Sequence, residues 1–545
     1  MKYIILSLLS AVLLSISWPT YGIPFFIFFA LVPLLIMEHD ISKFSKIKNK
    51  GRVIYGLTFL TFLIWDIVTT GWLYGARNPD GSHALLAVVF PVLFNAFLYS
   101  FIFQCYHWYK NAQGTYFGLV FFVAIWMVFE KLLMSWEFTW PWLNLGNAFA
   151  DYPKVIQWYD TLGSTGGSFW ILLINVYIFY TLRIWEAGRK RKSLIINSSL
   201  LAILIFVPML ISLMKYNNFD EKPIGSVNVL MLQPDLDPYN EKYSKDSLTI
   251  LNDLLTLAEQ NSKGQIDYYI GPETSLPGYG SISESGFEQN ILLNKIKEFL
   301  ERHPKSVFTT GISSHRFYPI ESEKSKTAYQ TSQGIFVDSY NSAVQIIPNQ
   351  KVEVYHKGKL VPGVEIFPYI NVLRPILGNA MINLGGTTAS LAADPERKVF
   401  TNPFNKGKVA PIICYESIYG EYVTEYVKKG ANFLAIMTND SWWGETQGHQ
   451  QLMAYARLRA IETHREIARA ANSGISAHID AKGDVVADTF YGDKTTLFAK
   501  VNLYDKITFY SKAGDLLSRF SIFVFGFLIF YNWIKKFQNR KKATK

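Results

Sequence analysis

Apolar residues gather into long runs before residue 217 and into short ones after it. The long runs cover Tyr3 to Trp18, Tyr21 to Met37, Val53 to Tyr74, Ala84 to Tyr106, Tyr116 to Met134, Ser168 to Trp185 and Leu194 to Met214, with one more at Phe520 to Ile534. Each approaches the roughly 20 residues that cross a bilayer core. The pattern predicts seven spans over 1–216, a soluble domain over 217–518 and a closing span with a basic tail over 519–545.

Within the soluble stretch, short β-rich runs alternate with amphipathic ones. Strands are predicted at Ser226 to Leu232, Asp267 to Ile270, Ser306 to Gly311, Gln333 to Val337, Ala343 to Ile347, Val352 to Tyr355, Val409 to Ile413 and Ala431 to Met437. Helices are predicted near Lys245 to Gln260, Glu288 to Glu301 and Gly448 to Arg465. Such alternation implies an α/β domain of sheets covered by helices. The run Val409 to Ile413 is apolar on successive residues, as expected of a strand buried on both faces.

Composition agrees with embedding: 50% of the 545 residues are hydrophobic and 16% aromatic, too apolar for a soluble enzyme of this length. The net charge of +10 follows from topology. Lys43, Lys46, Lys48, Lys50, Arg52, Lys110, Arg189, Lys190, Arg191 and Lys192 fall on one side of the predicted spans, with Lys535, Lys536, Arg540, Lys541, Lys542 and Lys545. The other side holds little beyond Arg77 and Lys154. By the positive-inside rule both termini are cytoplasmic and the soluble domain is extracytoplasmic. The basic balance therefore does not imply nucleic-acid binding. A cleaved signal peptide is the competing reading of the first run, but no small-residue cleavage site follows it. Glu130 and Lys131 lie within a span and are read as structural charges near its end.

The two cysteines exclude a disulfide framework or a multi-cysteine metal site, and the histidines show no paired ligand spacing, so no metal or cofactor is expected. Cys105 lies inside a hydrophobic run. Cys414 instead ends the apolar strand Val409 to Ile413 and is a nucleophile candidate. Two other charged residues end apolar strands: Glu273 after Asp267 to Pro272, and Lys357 after Val354, Tyr355 and His356. Taken singly, they are a turn carboxylate, a surface charge and a core filler. Brought together, a carboxylate can accept the thiol proton, the thiolate can attack an acyl carbon and the ammonium can support the oxyanion.

Gly271-Pro272-Glu273-Thr274, Tyr355-His356-Lys357-Gly358 and Ile413-Cys414-Tyr415-Glu416 stand in the order and approximate spacing of the Glu-Lys-Cys set of the nitrilase superfamily. With the preceding spans, the chain resembles the apolipoprotein N-acyltransferases, membrane-bound members of that superfamily. Supporting segments are Trp140 to Gly146, Gln233-Pro234-Asp235, Tyr340-Asn341-Ser342, Thr438 to Gly444 and Arg469 to Gly474. The resemblance implies a bundle of about eight helical spans joined to an α-β-β-α sandwich. It also implies supporting roles for Glu365, Tyr415 and Glu416. Asn341, Asn439, Trp442 and Trp443 are candidate substrate-binding residues. One departure stands in the loop before Glu365: the family's Pro-Phe-Gly-Glu is here Pro362-Gly363-Val364-Glu365, so the local turn is expected to differ.

The resemblance further implies a bacterial inner-membrane enzyme with its catalytic domain on the periplasmic side. Its acyl donor would be a membrane phospholipid and its acceptor the diacylglyceryl-cysteine N-terminus of an apolipoprotein, with a Cys414 thioester between. The rivals are a membrane-tethered nitrilase or amidase cleaving a small C–N bond, and a non-catalytic lipid-binding scaffold. Eight spans disfavour the first rival and the intact charged set the second.

Overall fold

The computed structural model describes the chain apart from residues 79–80, 189–190, 243, 277–280, 320, 322–323, 326, 370–371, 373–389 and 544–545. Arg189, Lys190 and Lys545 of the basic pattern lie outside the described residues. The chain divides into two compact units. One comprises Met1–Gly71, Val88–Asn218 and Ala513–Lys545, the other Trp72–Ala87 and Phe219–Lys512.

The first unit is helical. Seven described helices are long and apolar enough to cross a membrane: Pro24–Lys43, Lys50–Gly75, Leu85–Gln113, Thr115–Leu133, Tyr159–Glu186, Arg191–Asn217 and Leu516–Arg540. The first predicted run is the shorter helix Lys2–Ile16. Its 15 residues rise about 22 Å, short of the roughly 30 Å hydrocarbon core. Several buried charges in this unit have partners. Lys110 is 4% exposed and pairs with the fully buried Glu38, which also meets His107 Nδ1 at 2.8 Å. Lys110 is thus an internal charge, not a solvent-facing one. Lys131 pairs with Asp515 at 2.8 Å. Glu130 is buried, accepting from Leu145 N at 2.9 Å and Trp126 Nε1 at 3.1 Å, so it anchors the Trp140 to Gly146 segment. The structural reading of both charges agrees with these contacts.

The second unit contains two sheets. The first runs Thr495–Leu503, Gly225–Gln233, Tyr268–Ile270, Val307–Tyr318, Phe336–Ile346 and Tyr329–Gln330, with Ile282–Ser283 paired to Val307–Tyr318 and Glu353–His356 to Phe336–Ile346. The second runs Val485–Asp488, Ala477–Ile479, Ile467–Ala471, Phe433–Thr438, Lys408–Ile413 and Phe400–Thr401. Its three central strands are parallel, and after Lys408 every residue of Lys408–Ile413 is buried, as its apolar run predicts. Alternation on Tyr268–Ile270 sets the layers. Tyr269 meets Phe299 of the covering helix Ile291–Arg302 at 5.1 Å, whereas Tyr268 meets Phe433 of the second sheet at 5.0 Å. Helices Ser247–Asn261 and Ile291–Arg302 cover the outer face of the first sheet through Leu251, Leu254, Leu293 and Ile296. The helices Gly420–Lys428 and Gln447–Thr463 belong to the second sheet's half.

Two predicted strands, Gln333 to Val337 and Ala343 to Ile347, are one continuous strand, Phe336–Ile346. Asp338 to Ser342 separate the two predicted strands, but all five pair in register with Val307–Tyr318, and a strand tolerates polar residues where cross-strand partners meet them. Ser342 faces Ser314, with their hydroxyls 2.7 Å apart. The strand Val307–Tyr318 likewise runs past its predicted end at Gly311.

Gly311 is where the first sheet touches the Glu273 turn. A Cβ added there would stand 2.4 Å from Thr274 N and 2.7 Å from Glu273 Cα. Gly311→Ala is expected to cost about 1–3 kcal/mol by overpacking, read as a lower unfolding midpoint of the detergent-solubilised protein. Gly225→Ala, whose Cβ would meet only Leu503 at 3.9 Å, should leave the midpoint unchanged, and equal midpoints for the two variants would refute the packing argument.

Candidate active site

Four strand ends converge. Glu273 follows Tyr268–Ile270 and Lys357 follows Glu353–His356, both in the first sheet; Cys414 follows Lys408–Ile413 and Asn439 follows Phe433–Thr438, both in the second. Lys357 Nζ donates to Glu273 Oε1 at 2.8 Å and to Glu365 Oε1 at 2.9 Å. Asn341 Nδ2 donates to the same two oxygens at 2.7 Å and 2.8 Å. Glu273 Oε2 accepts the backbone N–H of Asn439 at 3.1 Å, which crosses between the sheets. Lys357 is 1% exposed and Glu273 5%, so the surface-charge reading of the lysine is wrong: burial among carboxylates is what makes its charge tenable.

Electrostatics follow from that burial. Burial pushes the Glu273 carboxyl up, but the Lys357 ammonium and the Lys357 and Asn341 hydrogen bonds outweigh it and hold it below the usual carboxylate range. Lys357 is raised: burial opposes its charge, but Glu273, Glu365 and Cys414 more than compensate. Burial and then the Glu273 charge push the Cys414 thiol well up, against a lowering by Lys357. The resting pair is therefore a carboxylate and a neutral thiol.

Backbone conformation at the site is unusual. Cys414 has φ 46° and Thr274 φ 45°, left-handed values uncommon for residues with a Cβ and strained for a β-branched one. The turn Cys414–Ile418 is held by Glu416, which is fully buried. Its Oε2 accepts from Ile413 N at 2.8 Å, and its Oε1 accepts from Gly358 N at 2.7 Å, Tyr422 OH at 2.8 Å and Tyr355 OH. One carboxylate thus grips the residue before Cys414 and the residue after Lys357. Tyr415 packs edge-on against Tyr419 at 5.3 Å.

The altered loop still delivers Glu365. Gly363 takes φ 80°, open space surrounds its missing Cβ, and its N–H donates to Ile366 O at 2.8 Å. The Glu365 carboxylate turns back to accept from Val361 N at 2.8 Å as well as from Lys357 and Asn341. Trp442 packs edge-on against Tyr239 at 5.5 Å, and Trp443 lies 5.0 Å from Trp72, so these rings meet aromatic neighbours. Asn472 stitches the sheets together: its carbonyl accepts from Asp235 N at 2.9 Å and its amide donates to Leu236 O at 2.6 Å.

One residue of the site escaped the sequence reading. Lys242 is 2% exposed, and its Nζ contacts Thr274 Oγ1 and donates to Glu273 O at 3.3 Å. It lies in a polar stretch, Asp237 to Lys245, that reads as solvated loop. Its only sequence cue is that it follows the Gln233-Pro234-Asp235 segment closely.

The chain belongs to the carbon-nitrogen hydrolase family, whose model matches residues 232–507. Ahead of that region, residues 10–177 match the apolipoprotein N-acyltransferase N-terminal domain. The apolipoprotein N-acyltransferase of Chlorobaculum tepidum is 28% identical, covering 98% of this chain and 97% of its own. That of Haemophilus influenzae is 27% identical, covering 84% of this chain and 89% of its own. The crystal structure of Saccharomyces cerevisiae Nit3, a member of branch 10 of the nitrilase superfamily, covers 51% of this chain and 91% of its own at 15% identity and a TM-score of 0.36. The family resemblance drawn from the motifs is borne out.

Because every Glu416 partner above is a donor, Glu416→Gln sets an amide NH2 against N–H or O–H groups. The variant is expected to lose about 1–3 kcal/mol, the cost of a buried polar group left unmatched. Chemical denaturation followed by Trp fluorescence checks this, and an unshifted midpoint would contradict the bridging role.

Proposed function

We propose that this chain is a membrane N-acyltransferase that moves an acyl chain from a phospholipid, through a Cys414 thioester, to the α-amino group of a diacylglyceryl-cysteine at the N-terminus of an apolipoprotein. The observation that carries this reading is the buried Glu273, Lys357 and Cys414 set in a chain with seven described helices long enough to span a membrane. The full-length relatives named apolipoprotein N-acyltransferase support it. A membrane-embedded enzyme suits substrates that are both lipid-anchored. Residues 217–518 form the catalytic domain, on the periplasmic side of a bacterial inner membrane, with both termini in the cytoplasm.

In the first step the Cys414 proton passes to Glu273 as sulfur attacks the ester carbonyl. The tetrahedral oxyanion collapses, the ester C–O bond breaks, and the leaving lysophospholipid oxygen takes the proton back from Glu273. In the second step the amine attacks the thioester carbonyl and gives a proton to Glu273. The C–S bond then breaks and the thiolate recovers that proton. Lys357 has three N–H donors, two of them engaged by Glu273 and Glu365, and the third is offered to the oxyanion in both steps. Glu365 and Asn341 keep the lysine and Glu273 aligned, and Tyr415 and Glu416 support the nucleophile turn.

Incubation with phospholipid should place a hydroxylamine-labile acyl group on the Cys414 peptide and none on the Cys105 peptide. Cys414→Ala should abolish it; label persisting there would defeat the assignment. Lys357→Arg replaces a compact ammonium with a planar fork and should slow turnover by about 10²–10³, the usual effect of losing one oxyanion donor. A near-parental rate in folded Lys357→Arg would require another donor. Separately, reporter fusions after Asn217 should behave as periplasmic and those at the C-terminus as cytoplasmic; the opposite pattern would overturn the orientation.

A further inference from the structure

Two carboxylates, Glu273 and Glu365, grip the single ammonium of Lys357. That cluster is net negative before any sulfur ionises. Adding a thiolate to it in a buried, low-dielectric site is costly, and Asp440, although paired with Arg469 at 2.8 Å, also disfavours the ionised sulfur. A further cation beside the Glu273 turn would lower that cost, and Lys242 is placed to be it.

The Lys242 side chain is built into the site. Its turn begins at Asp237, whose carboxylate accepts from Tyr239 N at 2.7 Å and whose carbonyl accepts from Lys242 N at 2.9 Å. Tyr239 fixes the turn from the other side, donating to Trp442 O at 2.7 Å and accepting from Arg77 N at 3.0 Å. From there the lysine reaches the carbonyl of Glu273 and the hydroxyl of Thr274, the residue held at φ 45°. The charges facing it are those of Glu273 and Cys414. No surface role explains so long a cationic side chain at 2% exposure.

We propose that Lys242 is a positioning residue of this site: its ammonium fixes the strained Glu273–Thr274 turn and supplies the second positive charge that balances the Cys414 thiolate. The inference rests on the thioester chemistry proposed above. Burial, only partly offset by Glu273 and Cys414, brings the lysine down to about 8, so it still carries its charge at neutral pH.

The test reads the sulfur without any lipid. In full-length, detergent-solubilised protein carrying Cys105→Ala, the rate of Cys414 alkylation by iodoacetamide is followed against pH. The charged groups facing the sulfur are Glu273, Lys357, Asp440 and Lys242, and only the last is changed. Lys242→Met is expected to move the profile up by roughly one unit or more, as loss of a nearby opposite charge does. That is about a tenfold slower reaction on the acid side. Lys242→Arg should restore most of the shift. A Lys242→Met profile superimposable on the parent overturns the proposal, even if the variant is less stable. Should that variant fail to accumulate, Thr274→Val, which removes the hydroxyl contact, is expected to shift the profile in the same direction, and no shift overturns the proposal equally. If the parent forms no thioester with phospholipid, the acyl-transfer reading fails, while the alkylation profile still decides the role of Lys242.

Discussion

The site depends on a few bonds that fix one sheet against the other. Glu273 and Lys357 ride on the first sheet and Cys414 on the second, so a slip of an ångström between them would separate the carboxylate from the thiol. Three sets of contacts oppose that slip. The Asn439 N–H reaches Glu273, Glu416 spans from Ile413 to Gly358, and Asn472 holds Asp235 and Leu236 just beyond the strand Gly225–Gln233. All three are buried, where a hydrogen bond is electrostatically stronger than in water and an unmatched partner is more costly. The dominant constraint is thus polar, although the layers on either side are held by apolar packing.

Burial also sets the chemistry. In water a glutamate, a lysine and a thiol would behave independently; here each group's ionisation is set by the others. The Lys357 ammonium keeps Glu273 charged, and Glu273 in turn opposes ionisation of Cys414. In the proposed reaction, a carboxylate beside a neutral thiol is the arrangement that lets the carboxylate accept the thiol proton as sulfur attacks. The left-handed conformations at Cys414 and Thr274 belong to the same picture: they are tolerated because neighbouring hydrogen bonds over-determine them. The helical unit follows a parallel rule, since Glu38, Lys110, Glu130 and Lys131 are each matched by a partner inside it.

The hydrophobic runs were legible because the requirement behind them acts locally. Each membrane helix must be apolar along its own length, and a strand buried on both faces must be apolar residue by residue, so seven long helices and the strand before Cys414 could be read directly. The first run was read as a span but forms a shorter helix, since apolarity sets what a segment avoids and not how far its helix extends. Likewise the single strand Phe336–Ile346 reads as two strands separated by Asp338 to Ser342, because the partners of those residues lie on another strand and leave no trace in the local pattern.

By itself the sequence determined the long apolar helices, the α/β character of the stretch after residue 217, the family and the three residues at strand ends, since each is written in contiguous residues or in motifs of fixed order. Only the tertiary structure decided that Lys357 is buried between two carboxylates, that a backbone N–H of Asn439 completes the Glu273 site, that Glu416 bridges the sheets and that Lys242 joins them. Those contacts join residues far apart in the chain. Whether a lysine is solvated or buried depends on what the folded chain brings against it, a property of the packed sheets that no local pattern of residues encodes.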